Sequence, residues 1–319
     1  MIASTADVRF NNCAQIKKVL RLMGGGTKAE VTRETGLSFA TCSNLINQMV
    51  LSGEIVACRK EYHTDPGRPS ERYALNPDFE LILCIFLEKL EETPRIRYAI
   101  VNLFGQLRQE GAVDTAVLDA AFLEEAIAAL LSREQRIRML GISVQGVVSA
   151  EGNILSCDHR ELAGIPMKAW LEERFKIPVI CENDMNLLAF GAVRDETISD
   201  GANAAALAYY SCVSCGAGVV ADGRILRGST NFAGEISHLA KELPFREQLI
   251  FHLCSVIVMT NPSVVILVGD RISENLVSEA ALILSQKLPQ PHIPRLLQIQ
   301  EPFPYARSGL IHRCLEGML

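Results

Sequence analysis

Hydrophobic and polar positions in residues 27–48 follow the period of two short helices. The first helix ends at Gly36, which can adopt a positive φ, and the second begins at Ser38, whose hydroxyl can cap it. Residues 38–49 carry small polar side chains on one side of the second helix and apolar side chains on the other. This spacing predicts a helix-turn-helix, although an ordinary helical hairpin has the same pattern.

Short hydroxyl and amide side chains on the second helix can reach base edges in the major groove of DNA. The residues that we expect to contact bases are Ser38, Thr41, Ser43, Asn44 and Asn47. Residues 1–78 carry a net charge of +2 and the remaining residues −8, so the first part lacks the strong positive field of a nonspecific DNA binder. Phosphate contacts must therefore come from individually placed cations, such as Lys17, Lys18, Lys28, Arg33, Arg59, Lys60 and Arg68.

Flanking apolar positions extend this unit in both directions. A supporting helix is predicted upstream from Ile16, Val19, Leu20 and Leu22, and two strands are predicted downstream at residues 53–58 and 72–75. Three helices and a β-hairpin describe a winged helix. Arg68 lies in the polar turn between the strands, where it can extend towards phosphate or a minor groove, unless the turn is only a connection.

Past residue 77 the pattern changes to strands that alternate with helices. The predicted strands are residues 81–87, 96–101, 139–144, 179–182, 204–211, 218–221 and 264–268, and the predicted helices are 116–131, 167–175, 184–193, 245–260 and 273–287, with a short helix at the end. Such alternation favours an α/β domain with an open mixed sheet covered by helices. We therefore predict a winged helix-turn-helix DNA-binding domain over residues 1–77 and an α/β domain over 78–319.

Composition adds compartment and redox expectations. With 319 residues and 49% hydrophobic content, the chain has no apolar run of about 20 residues and no signal-peptide core, so we expect a soluble cytoplasmic protein without membrane contacts. The ten cysteines are scattered on core-like elements, which suits reduced thiols. Cys212 and Cys215 have the spacing of a redox or metal pair, but no second pair accompanies them.

Several motifs of the second part resemble the ROK family of repressors, open reading frames and sugar kinases. They occur in the family's order, as residues 141–148, Glu182-Asn183-Asp184, Gly216-Ala217-Gly218, residues 233–238 and residues 261–269, and the turn at 67–69 resembles that of the family's transcriptional repressors of the N-acetylglucosamine and xylose type. The resemblance implies an actin-like ATPase fold with lobes at approximately 78–183 and 184–319 and a sugar cleft between them.

The same resemblance implies four ligand-binding residues. Asn183 would exchange hydrogen bonds with sugar hydroxyls, and Asp184 would be the base of the kinases, unless it only caps the following helix. Glu235 and His238 would hold the hydroxyls near the anomeric carbon. Together these groups provide the donors and acceptors that polyhydroxyl recognition needs.

Departures from the family pattern remove its phosphate and zinc chemistry. Residues 81–92 lack the glycines of the Asp-x-Gly-Gly-Thr turn and add three carboxylates, and Cys212 and Ser214 replace glycines of the second loop. His238 is not followed by the family's cysteine run, so it cannot complete a zinc site. The family's tryptophan after the cleft loop is also absent. We therefore predict no catalytic residues, no metal and no cofactor.

These expectations favour a transcriptional regulator, and specifically a repressor of carbohydrate-metabolism genes without kinase activity. Its expected partners are a duplex DNA operator, a small sugar or sugar-phosphate effector, and further copies of the chain in a homodimer or higher oligomer. Two alternatives remain open: a sugar kinase with an added DNA-binding head, and a regulator whose second domain is only a dimerisation scaffold.

Overall fold

The computed structural model describes residues 5–58, 71–90, 93–198, 203–211 and 215–318. The chain divides into two compact units. The first comprises residues up to Glu80 together with Asn102–Phe104, and the second comprises Leu81–Val101 and Gly105–Met318. The domain boundary after residue 77 and the lobe boundary after residue 183 stay predictions.

The first unit is a small helical domain with a three-stranded antiparallel sheet. Its apolar core is formed by side chains such as Ile16, Val31, Ile46 and Tyr73. Strand order is β1-β3-β2. The elements are α1 (Thr5–Met23), β1 (Gly26–Thr27), α2 (Lys28–Thr35), α3 (Phe39–Ser52), β2 (Ile55–Ala57) and β3 (Arg72–Leu75).

The turn between α2 and α3 has the predicted geometry. Gly36 has φ 68° and its N–H donates to the Thr32 carbonyl, which ends α2. The Ser38 hydroxyl accepts from the Thr41 N–H at 3.1 Å and starts α3. The helix runs past the predicted end at Met49, because the next glycine able to terminate it is Gly53, with φ 85°. The predicted wing turn and Arg68 lie outside the described residues.

The second unit begins with a five-stranded sheet in the order β10-β7-β4-β5-β6. Strands β4, β7 and β10 run parallel, whereas β5 and β6 are antiparallel to each other. A separate hairpin is formed by β8 and β9. The elements are β4 (Leu81–Leu90), β5 (Thr93–Asn102), β6 (Leu107–Asp114), α4 (Ala120–Arg133), β7 (Ile137–Val144), β8 (Gly146–Val148), β9 (Ile154–Cys157), α5 (Met167–Phe175) and β10 (Val179–Asn183).

A second five-stranded sheet follows, in the order β13-β12-β11-β14-β15. Its central strand β11 is antiparallel to β12 and parallel to β14. The elements are α6 (Asp184–Ala192), β11 (Ala204–Ala208), β12 (Gly216–Ala221), β13 (Arg224–Ile225), α7 (Phe245–Thr260), β14 (Val264–Val268), α8 (Glu274–Lys287), β15 (Arg295–Gln298) and α9 (Phe303–Met318). Two mixed sheets with flanking helices confirm the predicted α/β fold class.

Several boundaries differ from the sequence expectation. Helix α4 begins at Ala120 rather than at residue 116, because the Asp119 carboxylate caps it by accepting from the Phe122 N–H at 2.8 Å. Strand β11 ends at Ala208 instead of residue 211. The final helix is 16 residues long, and Pro302 directly precedes it. Among the described helices, none combines the length and apolar character that crossing a bilayer requires.

Candidate functional site

Helix α3 presents a polar face to solvent. The predicted base-contacting residues Ser38, Asn44 and Asn47 are exposed, and Thr41 and Ser43 are partly exposed. The opposite face is buried in the core of the first unit through Cys42, Leu45, Ile46 and Met49. The apolar face predicted from the sequence is thus the face that packs in the core. All five predicted base-contacting residues lie outside that core.

Neighbouring helices hold the amides of this face in place. Arg9 of α1 donates to Gln48 Oε1 at 2.9 Å, and Gln48 Nε2 donates to Asn44 Oδ1 at 3.4 Å. Lys28 at the start of α2 donates to Asn47 Oδ1 at 2.6 Å. Sequence reasoning missed Arg9, since a single exposed arginine on a distant helix gives no local signal.

The other predicted phosphate contacts have varied surroundings. Lys17 forms an ion pair with Glu54 at 3.1 Å, and Arg33 pairs with its neighbour Glu34. Arg59, Lys60 and Arg68 lie outside the described residues. Among the described residues, Arg9 and Lys28 are the cations that donate hydrogen bonds to amide side chains on the polar face of α3.

In the second unit, Asn183 joins the end of β10 to the start of α6. Its Oδ1 accepts from the Asn186 N–H at 2.8 Å, and its Nδ2 donates to the Gly146 carbonyl at 2.8 Å and to Asp184 Oδ1 at 3.2 Å. The alternative that Asp184 caps α6 is wrong, because Asn183 is the cap. Three of the four hydrogen bonds available to the Asn183 amide are thereby used within the chain.

Glycines of the neighbouring motifs let α6 sit against β12. A Cβ atom at Gly218 would lie 2.0 Å from the Met185 carbonyl oxygen, and one at Gly234, which has φ +97°, would lie 2.1 Å from the Ala217 carbonyl oxygen. Only glycine permits such close approach of two backbones. The Gly-Ala-Gly and Ala-Gly-Glu motifs therefore bring the first turn of α6 and the segment containing Glu235 close together.

Three carboxyl groups interact around the start of α6. Burial raises the pKa of Asp184 to about 7, and the nearby carboxylates Asp158 and Glu235 act in the same direction. Burial also raises the pKa of Glu235, opposed by His238, and the pKa of Asp158, opposed by Lys89. His238 itself is exposed, with its ring 5.2 Å from that of Phe232. Asp184 is therefore poised between its protonated and ionised forms near neutral pH.

Glu182, the first residue of the Glu-Asn-Asp motif, has a role that the sequence did not reveal. Its side chain is buried and forms an ion pair with Arg227. Glu182 Oε1 also accepts from the Asn183 N–H and from Asn186 Nδ2, each at 3.1 Å. The pair links β10 to the segment after β13, so it fixes the strand end that carries Asn183 and Asp184.

A cavity of about 260 Å³ opens beside Asp184. Its polar lining comes from Glu88, Lys89, Ser143, Gln145, Asp184 and Tyr210, and the rest is apolar. Of the four predicted ligand residues, Asp184 belongs to this wall; in the described part of the chain, Asn183, Glu235 and His238 do not. The structure thus brings Asp184 and Glu235 within electrostatic reach but puts only Asp184 at the cavity.

The segment that would hold phosphate in the kinases is a regular strand here. Residues 81–87 of β4 are buried, and Glu88 forms an ion pair with Arg97 at 3.3 Å. Burial raises the pKa of Glu88. Cys212 and Ser214 of the second loop lie outside the described residues. Within the described residues 81–90, this regular strand with a carboxylate near its end offers no cluster of free backbone N–H groups for an anion.

Comparison with known proteins identifies the second unit. The ROK family model matches residues 93–254, just over half of the chain. The xylose repressor of Caldicellulosiruptor bescii is 25% identical over 224 residues, which are 66% of this chain and 54% of that protein. A glucokinase of Halalkalibacterium halodurans is 30% identical over 135 residues, covering 41% of this chain and 40% of the kinase. The chain spans about half the length of the curated repressors that it matches.

A solved structure extends the likeness to both units. The crystal structure of a ROK family transcriptional regulator, described as a homologue of the E. coli MLC protein, aligns with a TM-score of 0.72 over 97% of this chain and 96% of that one. Sequence identity is 15%, so this likeness shows the fold. The predicted family is confirmed.

Proposed function

We propose that this chain, which belongs to the ROK family, is a DNA-binding transcriptional repressor of carbohydrate-metabolism genes. Its first unit binds duplex DNA as part of a homodimer, and its second unit binds a small polyhydroxyl effector. The similarity to the xylose repressor of Caldicellulosiruptor bescii supports this function. We place it in the cytoplasm, where such a repressor meets its operator.

The observation that carries the DNA-binding proposal is the solvent-facing polar side of α3. Amides at Asn44 and Asn47 can pair with adenine edges, and hydroxyls at Ser38, Thr41 and Ser43 can pair with any base. Lys28 donates to Asn47, and Arg9 donates to Gln48, which in turn donates to Asn44; both cations can approach phosphates beside the groove. Arg68 of the predicted wing adds a backbone or minor-groove contact.

The effector proposal rests on the carboxyl groups around α6. Asn183, Asp184, Glu235 and His238 form the proposed ligand set, with Asp184 reaching the cavity directly. A ligand that binds one arrangement of the second unit better than another shifts the population of DNA-binding states by that difference in affinity. The effector therefore acts through differential binding and needs no chemical step.

A selection experiment tests the DNA-binding function. The full chain is incubated with random duplex DNA, and its affinity for the enriched sequences is measured by fluorescence anisotropy at fixed salt. The variant Asn44→Ala is then compared with Asn11→Ala, a control on the exposed surface of α1. We expect two half-sites roughly one or two helical turns apart. Asn44→Ala should lose about 1–3 kcal/mol of preference at one position, while Asn11→Ala should bind like the parent.

Arg68→Ala should weaken binding mainly through loss of a backbone or minor-groove contact: equal weakening on all sequences indicates a phosphate contact, because such a contact carries no base information. Unchanged sequence preference in a protein carrying both Asn44→Ala and Asn47→Ala would refute base reading by α3.

A further inference from the structure

We infer that the effector of this protein is a polyhydroxyl compound with an apolar substituent, which lies in the cavity beside Asp184, and that a phosphate group in its place weakens binding. This inference rests on the proposed function, since it concerns the chemistry of the effector. It departs from a simple sugar or sugar phosphate because of the walls that surround Asp184.

Much of the cavity lining is apolar and comes from several elements. Phe86 of β4, Leu188 of α6, Val268 of β14 and Phe303 and Ala306 of α9 all line it. Phe86 and Phe303 are packed edge to face with ring centroids 5.0 Å apart, so this wall is a rigid aromatic surface. A sugar hydroxyl placed here would lose its hydrogen bonds to water without replacement, whereas a hydrocarbon group would gain by leaving water.

Polar side chains lie among these apolar groups and offer acceptors for hydroxyl donors: Ser143 is the register partner of Phe86, and Asp184 lies one helical turn before Leu188. Gln145 also lines the cavity, and within the described part of the chain its buried Oε1 has no hydrogen-bond donor. A buried amide oxygen without a donor is costly, so a rotation of the Gln145 side chain that brings Oε1 to a ligand hydroxyl would stabilise the complex. A ligand that carries both hydroxyl donors and a hydrocarbon group matches this mixed lining.

The charges of the lining oppose a phosphate. Two carboxyl groups, Glu88 and Asp184, share the wall with one cation, Lys89. Lys89 also faces Asp158, a carboxyl group whose pKa it lowers. Arg97 already pairs with Glu88, and no arginine lines the described part of the cavity, so a phosphate ester would meet Asp184 without a free guanidinium to offset it.

The size of the cavity limits the ligand. Its volume of about 260 Å³ is near the lower end of small-molecule sites. A monosaccharide with one ring-sized substituent fits this limit if part of the ligand occupies the cavity and the rest lies against the carboxyl groups around α6.

Calorimetric titration of the full chain tests the inference with defined probes. These are D-glucose and D-xylose, their benzyl β-glycosides, 6-O-benzyl-D-glucose and D-glucose 6-phosphate. We expect at least one benzyl derivative to bind about tenfold or more tightly than its parent sugar, because a buried phenyl ring removes a large apolar area from water. Glucose 6-phosphate should bind more weakly than glucose.

Substitution at Ala306 assigns the effect to this cavity. Ala306→Leu fills part of the apolar lining, so it should abolish the benzyl advantage, measured as the ratio of the two affinities. Ala129→Leu, on the exposed surface of α4, is the matched control and should preserve the advantage. A benzyl advantage that survives Ala306→Leu, tighter binding of the phosphate ester, or no binding of any probe would overturn the inference.

The proposed DNA-binding function would stand apart from such a result, because the anisotropy measurement of sequence preference uses no sugar. Selective DNA binding without a benzyl advantage refutes the effector class alone. Loss of selective DNA binding together with a benzyl advantage refutes the regulator and leaves the cavity's ligand class intact.

Discussion

At the scale of single residues, Asp184 carries the clearest electrostatic consequence. Burial raises its pKa to about 7 from the ordinary value of 3.8, so the folded state holds a proton that the unfolded chain releases. The stabilising effect of that proton is complete below pH 4 and is lost as pH rises through 7. Asp184→Asn should therefore remove part of the fall in stability between pH 4 and pH 8, by on the order of 4 kcal/mol.

The measurement is the difference in free energy of unfolding between the parent and Asp184→Asn at each pH. Asp158 and Glu235 shift in the same direction, so only the difference isolates Asp184. Asp195→Asn is the control, because hydrogen bonds from Thr197 lower the pKa of this partly exposed carboxyl group. A constant difference between parent and Asp184→Asn across this range would show that Asp184 is ionised throughout.

The identity of single residues predicted the helix ends of the first unit, but not the long-range contacts at the two candidate sites. Ser38 and Gly36 are local signals, because a cap and a positive φ depend on the residue itself, and both lie where expected. The capping box of Thr27 and Glu30 was available in the same way and was overlooked. The contacts of Arg9 and the ion pair of Glu182 with Arg227 join distant segments, so no local pattern could indicate them.

At the scale of elements, hydrophobic runs predicted the central strands and the edge strand β10, but not the edge strands β6, β13 and β15. Strands β4, β7 and β14 are buried on both faces and read as continuous apolar runs. Strand β6 was missed because its side chains are mostly exposed, and an edge strand needs no apolar face to pair with β5. The family resemblance supplied the expected two-lobed fold, which periodicity alone leaves undetermined.

The close packing of α6 against β12 predicts that a larger residue at Gly218 destabilises the fold. Gly218→Ala would place a Cβ atom 2.0 Å from the Met185 carbonyl oxygen, so α6 must move or β12 must bend. We expect a loss of about 2–3 kcal/mol in the free energy of unfolding. Gly216→Ala is the matched control, because its Cβ would meet Met185 Cγ at an ordinary 3.7 Å.

Denaturant unfolding of both variants measures the effect, and sugar titration shows whether Asp184 has moved with α6. Equal stability of Gly218→Ala and Gly216→Ala would mean that the two backbones are further apart than described here.

At the scale of the whole molecule, Asp184 lies where the family resemblance implies the base of the kinases, whereas strand β4 occupies the described part of the segment implied to hold phosphate. Asp184 has the partly protonated character of a general base, yet phosphoryl transfer also requires groups that stabilise charge on the transferred phosphate. Strand β4 instead places Phe86, Leu87 and Glu88 at the cavity. A base without phosphate stabilisation can bind a hydroxyl but cannot drive transfer to it.

We therefore expect no ATP-dependent phosphorylation of any sugar in a broad panel, measured by coupled ADP release with magnesium present. The full chain should give the background rate, and Asp184→Asn should give the same rate. A glucokinase relative assayed in parallel shows that the panel and the coupling system work. Turnover by the parent that disappears in Asp184→Asn would establish the kinase alternative, and it would mean that segments beyond strand β4 supply the phosphate contacts.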